Sequence, residues 1–513
     1  MSSERSRRLR RSRSRSNSFD LQISFRTGPH LVSMKWQNGE YDVIILGSGL
    51  AGLIAGVCLA KGSRRVVLLK EKAYHPCMLW EGYRFAPFSN FSEKRLKPSL
   101  LARLSKELNF PPGEPSSGPP KSPKREVAFQ VILPKARIDL FSNPSDLRKE
   151  WKREFPKELD PIEGFYNEVE KGKNLLKKEK MEEGFFGFFP VRPPSLIKRL
   201  LPFGSFRERT NEERLSDLSK DFGSFIRLQL LSLGNLHPDR FPISLVDYLL
   251  QKDDGLEEGT REVDLEALRD KILERFVHWG GLVEEIEGVE RMEWKWRSGV
   301  MVSSRGDGNA FRSRALLLNS PLHRVSRFLG KKGRLLRRWE ERIKPRYGLM
   351  ALFLGIREKV VPVGMGNLLV SVSDPDKPLE GGNLLFISLS TEAPEGRVAL
   401  TAESLVSLEG WDEDSLAEHR RGVMAHLFHL MPFLEANIEF SDFAWTIDQF
   451  SCWSNSHFIY ETNHDFHWRE GVVPTRFSKN LYFAGKENFP YLGVEGEVLS
   501  GWMVFRQILE RLS

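Results

Sequence analysis

The stretch Tyr41–Lys72, YDVIILGSGLAGLIAGVCLAKGSRRVVLLKEK, constrains this chain more than any other. An apolar run, Val43–Leu46, enters Gly47-Ser48-Gly49-Leu50-Ala51-Gly52. An Ala- and Leu-rich helical stretch follows, and a second apolar run, Val66–Leu69, closes the unit. A strand, a glycine turn, a helix and a second strand within about thirty residues make the unit that cradles the diphosphate of a dinucleotide. Each glycine has its own task there. Gly47 permits the tight exit from the strand, Gly49 removes a side chain where backbone must approach phosphate, and Gly52 lets the helix lie close to the strand. Gly56 extends that smooth face by one turn. The helix start offers unpaired N–H groups and a partial positive charge to an anion.

The second strand of such a unit normally ends in an acid that takes the ribose hydroxyls, about twenty residues past the glycines. That register falls on Lys70, with Glu71 and Lys72 next to it. Neighbouring strand residues face opposite ways. Either Glu71 serves through a one-residue displacement of the strand end, or the ribose is held differently. A lysine at position 70 would also suit a 2′-phosphate, and hence NADP. The candidate contacts at this end are Glu71 and Lys72.

At 513 residues the chain has room for two or three domains, each with its own core. Its 40% hydrophobic and 28% charged residues are those of a soluble globular protein. The net charge of +8 suggests nucleic acid until it is located. Arg5, Arg7, Arg8, Arg10, Arg11, Arg13, Arg15 and Arg26 face only Glu4 and Asp20 in residues 1–33, which leaves a nearly neutral body and no nucleic-acid partner. That Arg/Ser-rich tail is expected to be disordered, and Met34 is an alternative start. Cys58, Cys77 and Cys452 have no metal-ligand spacing and suggest a reducing, cytoplasmic compartment. No run of about eighteen apolar residues occurs, so no membrane span is expected.

Beyond the opening unit, Pro98–Leu108 reads as a helix, and residues 126–255 read as mainly helical. Short strands are expected within 282–319, and a further sheet within 348–404. Gly184–Phe206 (GFFGFFPVRPPSLIKRLLPFGSF) interleaves six Phe with Arg192, Lys198 and Arg199. It suits either a lid of the helical insertion or a peripheral membrane contact. Near the end, Asn480–Gly485 (NLYFAG) is a strand entering a small-residue turn, and Gly496-Glu497-Val498 opens the last helix. A phosphate cradle at the front and a second small-residue turn at the back suit a cofactor bound in extended form.

The chain resembles the FAD-dependent amine oxidase and phytoene desaturase superfamily. The matching stretches are YDVIILGSGLAGLIAG, HWGGLVEEIEGVERMEW with ALLLNSPLHRV, and NLYFAGKENFPYLGVEGEVLSGW, in the family's order. The resemblance implies an α/β fold, with a Rossmann-type FAD-binding domain from 34–91, 264–329 and 477–513. A mixed α+β substrate domain would come from insertions at 92–263 and 330–476. It implies that Gly47, Ser48, Gly49, Leu50, Ala51 and Gly52 hold the FAD diphosphate and that Val289 meets the adenine. Gly485, Glu487, Gly496, Glu497 and Val498 would meet the flavin end. Two departures stand out. Lys486 occupies the place of the family's usual acid, displacing it to Glu487. The usual Gly-Gly-Arg turn is reduced to Gly82 and Arg84 within CMLWEGYRFAP.

A flavin carries its own redox chemistry, and the protein positions the substrate. No catalytic residue is assigned. Trp445, Trp453, His457, Tyr460, His464, His467 and Trp468 suit either a substrate wall or an interdomain core, and the histidines lack the partners a metal would need. The expected activity is hydride removal from a C–C or C–N bond of a small organic substrate. A desaturase or isomerase acting on a polyene or lipid is the first reading and an amine oxidase the alternative. A dinucleotide-binding protein without catalysis is the third reading.

Overall fold

A computed structural model describes residues 40–71, 78–85, 98–110, 127–178, 211–250, 265–444 and 458–512, apart from 142, 217, 239–240, 296–298, 307, 330–332, 409–412, 463–467 and 469. The opening unit is β1 (Glu40–Leu46), α1 (Leu50–Lys61) and β2 (Val66–Glu71), followed by the hairpin β3 (Met78–Trp80) and β4 (Tyr83–Phe85). Helix α2 (Pro98–Leu108) and a second hairpin, β5 (Val127–Ile132) and β6 (Arg137–Phe141), come next. Helices α3 (Pro144–Glu154), α4 (Leu159–Lys178), α5 (Asn211–Leu215), α6 (Lys220–Leu233) and α7 (Ile243–Leu249) precede α8 (Leu265–His278). Strands β7 (Leu282–Ile286), β8 (Val289–Lys295), β9 (Gly299–Ser304) and β10 (Ala310–Leu318) lead to α9 (Leu322–Phe328) and α10 (Gly333–Glu340). The chain continues through β11 (Ile343–Arg357), β12 (Leu368–Val372), β13 (Leu384–Ser390), β14 (Arg397–Ser407) and α11 (Glu413–Leu430). It closes with β15 (Ile438–Ala444), β16 (Phe458–Thr462), β17 (Leu481–Phe483) and α12 (Val494–Leu512).

The first sheet is built on parallel strands in the order β7-β2-β1-β10-β17. Strand β10 changes partner along its length: Ala310–Ser313 pair antiparallel with β9, and Leu316–Leu318 pair parallel with β17. Because β1 lies between β2 and β10, the strand order reverses at its carboxyl end. That is where open α/β sheets bind their ligands. The buried runs Val43–Leu46 and Val66–Leu69 are apolar without alternation because helices or other structure cover both faces. Helix α1 is buried from Leu50 to Ala60, so it too is apolar all round. It packs against β1, α8 and α12, and a Cβ on Gly501 of α12 would fall 2.6 Å from the Ala51 carbonyl oxygen.

The second sheet runs β15-β11-β14-β13-β12-β5-β6, with β16 also on β11. Alternate residues divide its faces. Leu352, Leu354, Leu385, Ile387 and Leu400 pack on Val423 and Leu427 of α11. Leu349, Leu384, Phe386 and Leu405 join Phe222, Phe225 and Ile226 of α6 in the large core.

Three differences from the sequence reading have clear causes. Residues 126–255 are not helical throughout, because β5 joins this sheet by parallel pairing with β12, Leu369 opposite Gln130. Within that region, 211–233 is not one continuous helix but two. Ser219 breaks it, and its hydroxyl accepts the Phe222 N–H at 3.2 Å as the N-cap of α6. The last helix begins at Val494, two residues before Gly496. Ser219→Ala is expected to lower stability by about 1 kcal/mol, read as a shifted urea midpoint with an unchanged slope.

Candidate functional site

The turn after β1 has the backbone its glycines require. Gly47 lies at φ +105, a conformation that side-chain-bearing residues rarely adopt, and its N–H donates to the Leu69 carbonyl at 3.0 Å. A Cβ on Gly47 would fall 2.1 Å from the Asn319 backbone oxygen, and one on Gly52 would fall 2.4 Å from Asn319 Oδ1. Gly49 is similarly crowded by Asn319 Oδ1, at 2.8 Å. These close approaches are to the end of β10, so the glycines first serve the packing of α1 against the sheet. Leu50 and Ala51 are buried in that packing, while Ser48 is half-buried in the turn. Gly49 caps α1 without a side-chain hydrogen bond, and the first turn of α1 carries no acid. Its N–H dipoles are therefore not offset by a local anion.

Asn319 locks the strand ends together. Its N–H donates to the Leu46 carbonyl at 2.8 Å, and its Nδ2 donates to the Ala484 carbonyl at 2.6 Å. Its Oδ1 is buried and accepts no hydrogen bond from the described residues. Backbone and side chain of this residue together tie β1, β10 and the end of β17 at the point where the strand order reverses.

At the second strand, the ladder to β7 is regular through Glu71, which sits opposite Ile286. Lys70 turns to Glu285, 3.4 Å away on the exposed edge. Glu71 turns the other way. Its Oε1 lies 4.0 Å from where a Gly288 Cβ would stand, and its Oε2 is 2.6 Å from Arg324 Nη2. Glu71 and the buried Val289 at the start of β8 are thereby brought to the same edge. Lys72 lies outside the described residues.

The carboxyl-terminal candidates are arranged differently. Gly485 is extended, its N–H donates to Asn488 Oδ1 at 2.8 Å, and Asn488 Nδ2 donates to the Val473 carbonyl at 2.9 Å. Lys486 and Glu487 are buried side by side in a short 3-10 turn. The Glu487 carboxylate accepts the Leu322 N–H at 2.9 Å, at the start of α9. Burial raises its pKa to about 7, opposed by the Leu322 N–H and the adjacent Tyr460 hydroxyl. That hydroxyl couples electrostatically to Glu487 but lies outside strict hydrogen-bond geometry. Gly496 packs on the Phe489 carbonyl, 2.5 Å from its Cβ position, and Glu497 and Val498 are buried beside it. These residues form a tightly packed wall behind the strand ends.

The remnant of the Gly-Gly-Arg turn is elsewhere. Gly82 turns the β3–β4 hairpin, and Arg84 pairs with Glu392 at 3.1 Å. Tyr83 and Phe85 pack on Phe353 of the second sheet. Of the late aromatics, Tyr460 and Trp468 are buried core residues. Trp445, Trp453, His457, His464 and His467 lie outside the described residues, as do Cys77, Cys452 and the segment 184–206. Cys58 is buried on α1, and burial pushes its thiol up to about 12, which leaves it inert. Among the described residues no group of three or more His, Cys, Asp or Glu is placed to hold a metal ion, and no helix is long and apolar enough to cross a membrane.

Sequence reasoning missed Arg324 and the Leu322 N–H. The available signal was Asn319-Ser320-Pro321, whose proline starts α9 directly beside the glycine turn. Arg324 stands one turn further along.

No family model matches the chain, and no curated protein matches it in sequence. Solved structures match over nearly its whole length. Putrescine oxidase bound to putrescine has a TM-score of 0.57 and 15% identity, covering 92% of this chain and 99% of its own. Cyclohexylamine oxidase from Brevibacterium oxydans has a TM-score of 0.54 and 16% identity, with the same coverage. A RAB GDI from Plasmodium falciparum has a TM-score of 0.51 and 12% identity, covering 91% of this chain and 98% of its own. The chain therefore has the α/β fold of these amine oxidases, a Rossmann-type domain joined to a second mixed domain. A RAB GDI shares that fold.

Proposed function

We propose that the protein is an FAD-dependent oxidoreductase that acts on a small organic substrate. The observation that carries this reading is the glycine turn at the strand-order reversal, where an uncapped helix start and Glu71 stand at one edge with Val289. The residues at the nucleotide end fit the cofactor. The Gly47–Gly52 turn and the start of α1 would hold the diphosphate, Glu71 Oε1 the ribose, and the Val289 edge the adenine. At the flavin end, Gly485, Lys486, Glu487, Gly496, Glu497 and Val498 would form a wall that excludes water. Glu487 Oε1 is taken by the Leu322 N–H, so a contact with the cofactor would fall to its other oxygen. A bound flavin would supply the redox chemistry, accepting a hydride at N5 from a C–N or activated C–C bond.

Likeness to two amine oxidases supports a C–N substrate. The polyene or lipid reading rests on residues 184–206 and on Asn319-Ser320-Pro321, which resembles a turn of carotenoid enzymes. One further reading, dinucleotide binding without catalysis, is favoured by the engagement of Glu487 with α9. The visible spectrum of the purified protein separates them first. A yellow protein releasing FAD on heating is the expected result. A panel of primary amines with peroxide detection would then distinguish amine oxidation. A colourless protein that takes up no added FAD would overturn the flavoenzyme reading.

A further inference from the structure

Arg324 has a position that its salt bridge alone does not explain. Helix α9 rises from the lip of the glycine turn: the Ser320 hydroxyl oxygen lies 3.0 Å from the Gly47 Cβ position, and Pro321 caps the helix. One turn on, the Arg324 guanidinium reaches back to the end of β2 and meets Glu71 Oε2 at 2.6 Å. Its side chain remains 24% exposed and that of Glu71 20%, so the pair borders solvent at the carboxyl end of β2. Lys70, the other described cation of this strand end, is turned away to Glu285.

A diphosphate brings two negative charges to this place. The start of α1 offers roughly half a positive charge, which falls off within a turn. A guanidinium has five N–H donors in a planar fork and matches phosphate oxygens in pairs. The contact with Glu71 is made through Nη2, and no other side chain among the described residues pairs with the guanidinium.

We infer that Arg324 is a binding residue for the diphosphate of the dinucleotide, bridging it to Glu71. Glu71 Oε2 holds the guanidinium in place, its remaining N–H groups donate to phosphate, and Glu71 Oε1 accepts from the ribose. The two ends of the nucleotide site are thereby coupled through one ion pair. This inference rests on the dinucleotide reading given above, and it assigns the cation to α9, an element with no part in the glycine turn.

The test is calorimetric titration of the flavin-free protein with FAD, ADP and adenosine, at low and at moderate salt. Wild type is expected to bind FAD and ADP, more weakly as salt rises. Arg324→Gln should weaken ADP and FAD about tenfold or more, flatten the salt dependence, and leave adenosine within about twofold of wild type. Glu71→Gln should weaken adenosine, and ADP more, because it also releases the guanidinium. Arg324→Lys, which keeps the charge without the fork, should fall between wild type and Arg324→Gln, and circular dichroism checks that each variant is folded. If Arg324→Gln binds ADP as wild type does, the inference is wrong. Equal losses for ADP and adenosine would reduce Arg324 to a prop for Glu71, which also overturns it. Failure of wild type to bind FAD or ADP overturns the dinucleotide reading itself, and with it this inference.

Discussion

A chain carrying Gly47→Ala is expected to lose roughly 3 kcal/mol of stability or more, together with any dinucleotide binding. Two costs combine. The backbone at φ +105 strains an alanine, and the new Cβ would stand 2.1 Å from the Asn319 carbonyl oxygen. That oxygen belongs to the end of β10, so relief would require separating β1 from β10 where Asn319 N–H donates to Leu46. Gly52→Ala should be severe for a different reason. Its Cβ would meet the Asn319 side chain, at 2.4 Å from Oδ1 and 2.9 Å from Cβ, and that side chain is pinned by its bond to Ala484. The two glycines therefore differ in what would rescue them. Asn319→Gly should recover part of the loss caused by Gly52→Ala and none of that caused by Gly47→Ala. Urea unfolding of the three single and two double variants measures the coupling directly. Equal rescue of both, or of neither, would refute this account of the turn.

The same contacts explain which parts of the fold could be read from sequence. The opening unit was legible because its information is local: apolar runs, glycine spacing and a helix follow one another within about thirty residues. Strands β12, β13 and β14 were legible for the same reason, each being an apolar run bounded by turn residues. Strand β5 was not. Its identity as a strand depends on pairing with β12, more than two hundred residues later, and helices follow it closely in sequence. Within the site, the acid at 71 was legible but its orientation was not, since only the β2–β7 ladder shows that Lys70 faces Glu285 and Glu71 faces Gly288. At the far end the displaced acid was visible as Lys486-Glu487. That Glu487 would turn into the start of α9 depends on where that helix packs, and no motif encodes it. Gly496 illustrates a further limit: the sequence suggested close approach to a cofactor, and the structure supplies the Phe489 carbonyl as its near neighbour.

Acid stability should reveal two buried groups that oppose each other. His419, on α11, has its Nε2 2.6 Å from the Ser404 hydroxyl, and burial lowers its pKa from 6.5 to about 4. Between those values the folded state is neutral at this site and the unfolded state is protonated. Unfolding then takes up a proton, so the stability this group preserves above pH 6.5 is lost as pH falls toward 4. His426, bonded to Ser371 and lowered by burial, acts in the same direction. Glu487 does the reverse. Its pKa rises from 4.5 to about 7, so within that window the folded state keeps a proton that the unfolded state releases, and stability falls as pH rises. Each displacement corresponds to roughly 3 kcal/mol across its window, and the windows overlap almost completely. Glu150, whose pKa burial also raises to about 7, acts with Glu487, so the wild-type slope sums several groups and the variant comparisons isolate each one. Relative to wild type, His419→Gln should gain stability as pH falls from 7 to 4.5, because it cannot charge in the unfolded state. Glu487→Gln should gain relative to wild type as pH rises from 5 to 7.5. Urea titrations of the three proteins at pH 4.5, 5.5, 6.5 and 7.5 test both slopes, and profiles parallel to wild type would show that neither group's pKa changes on folding.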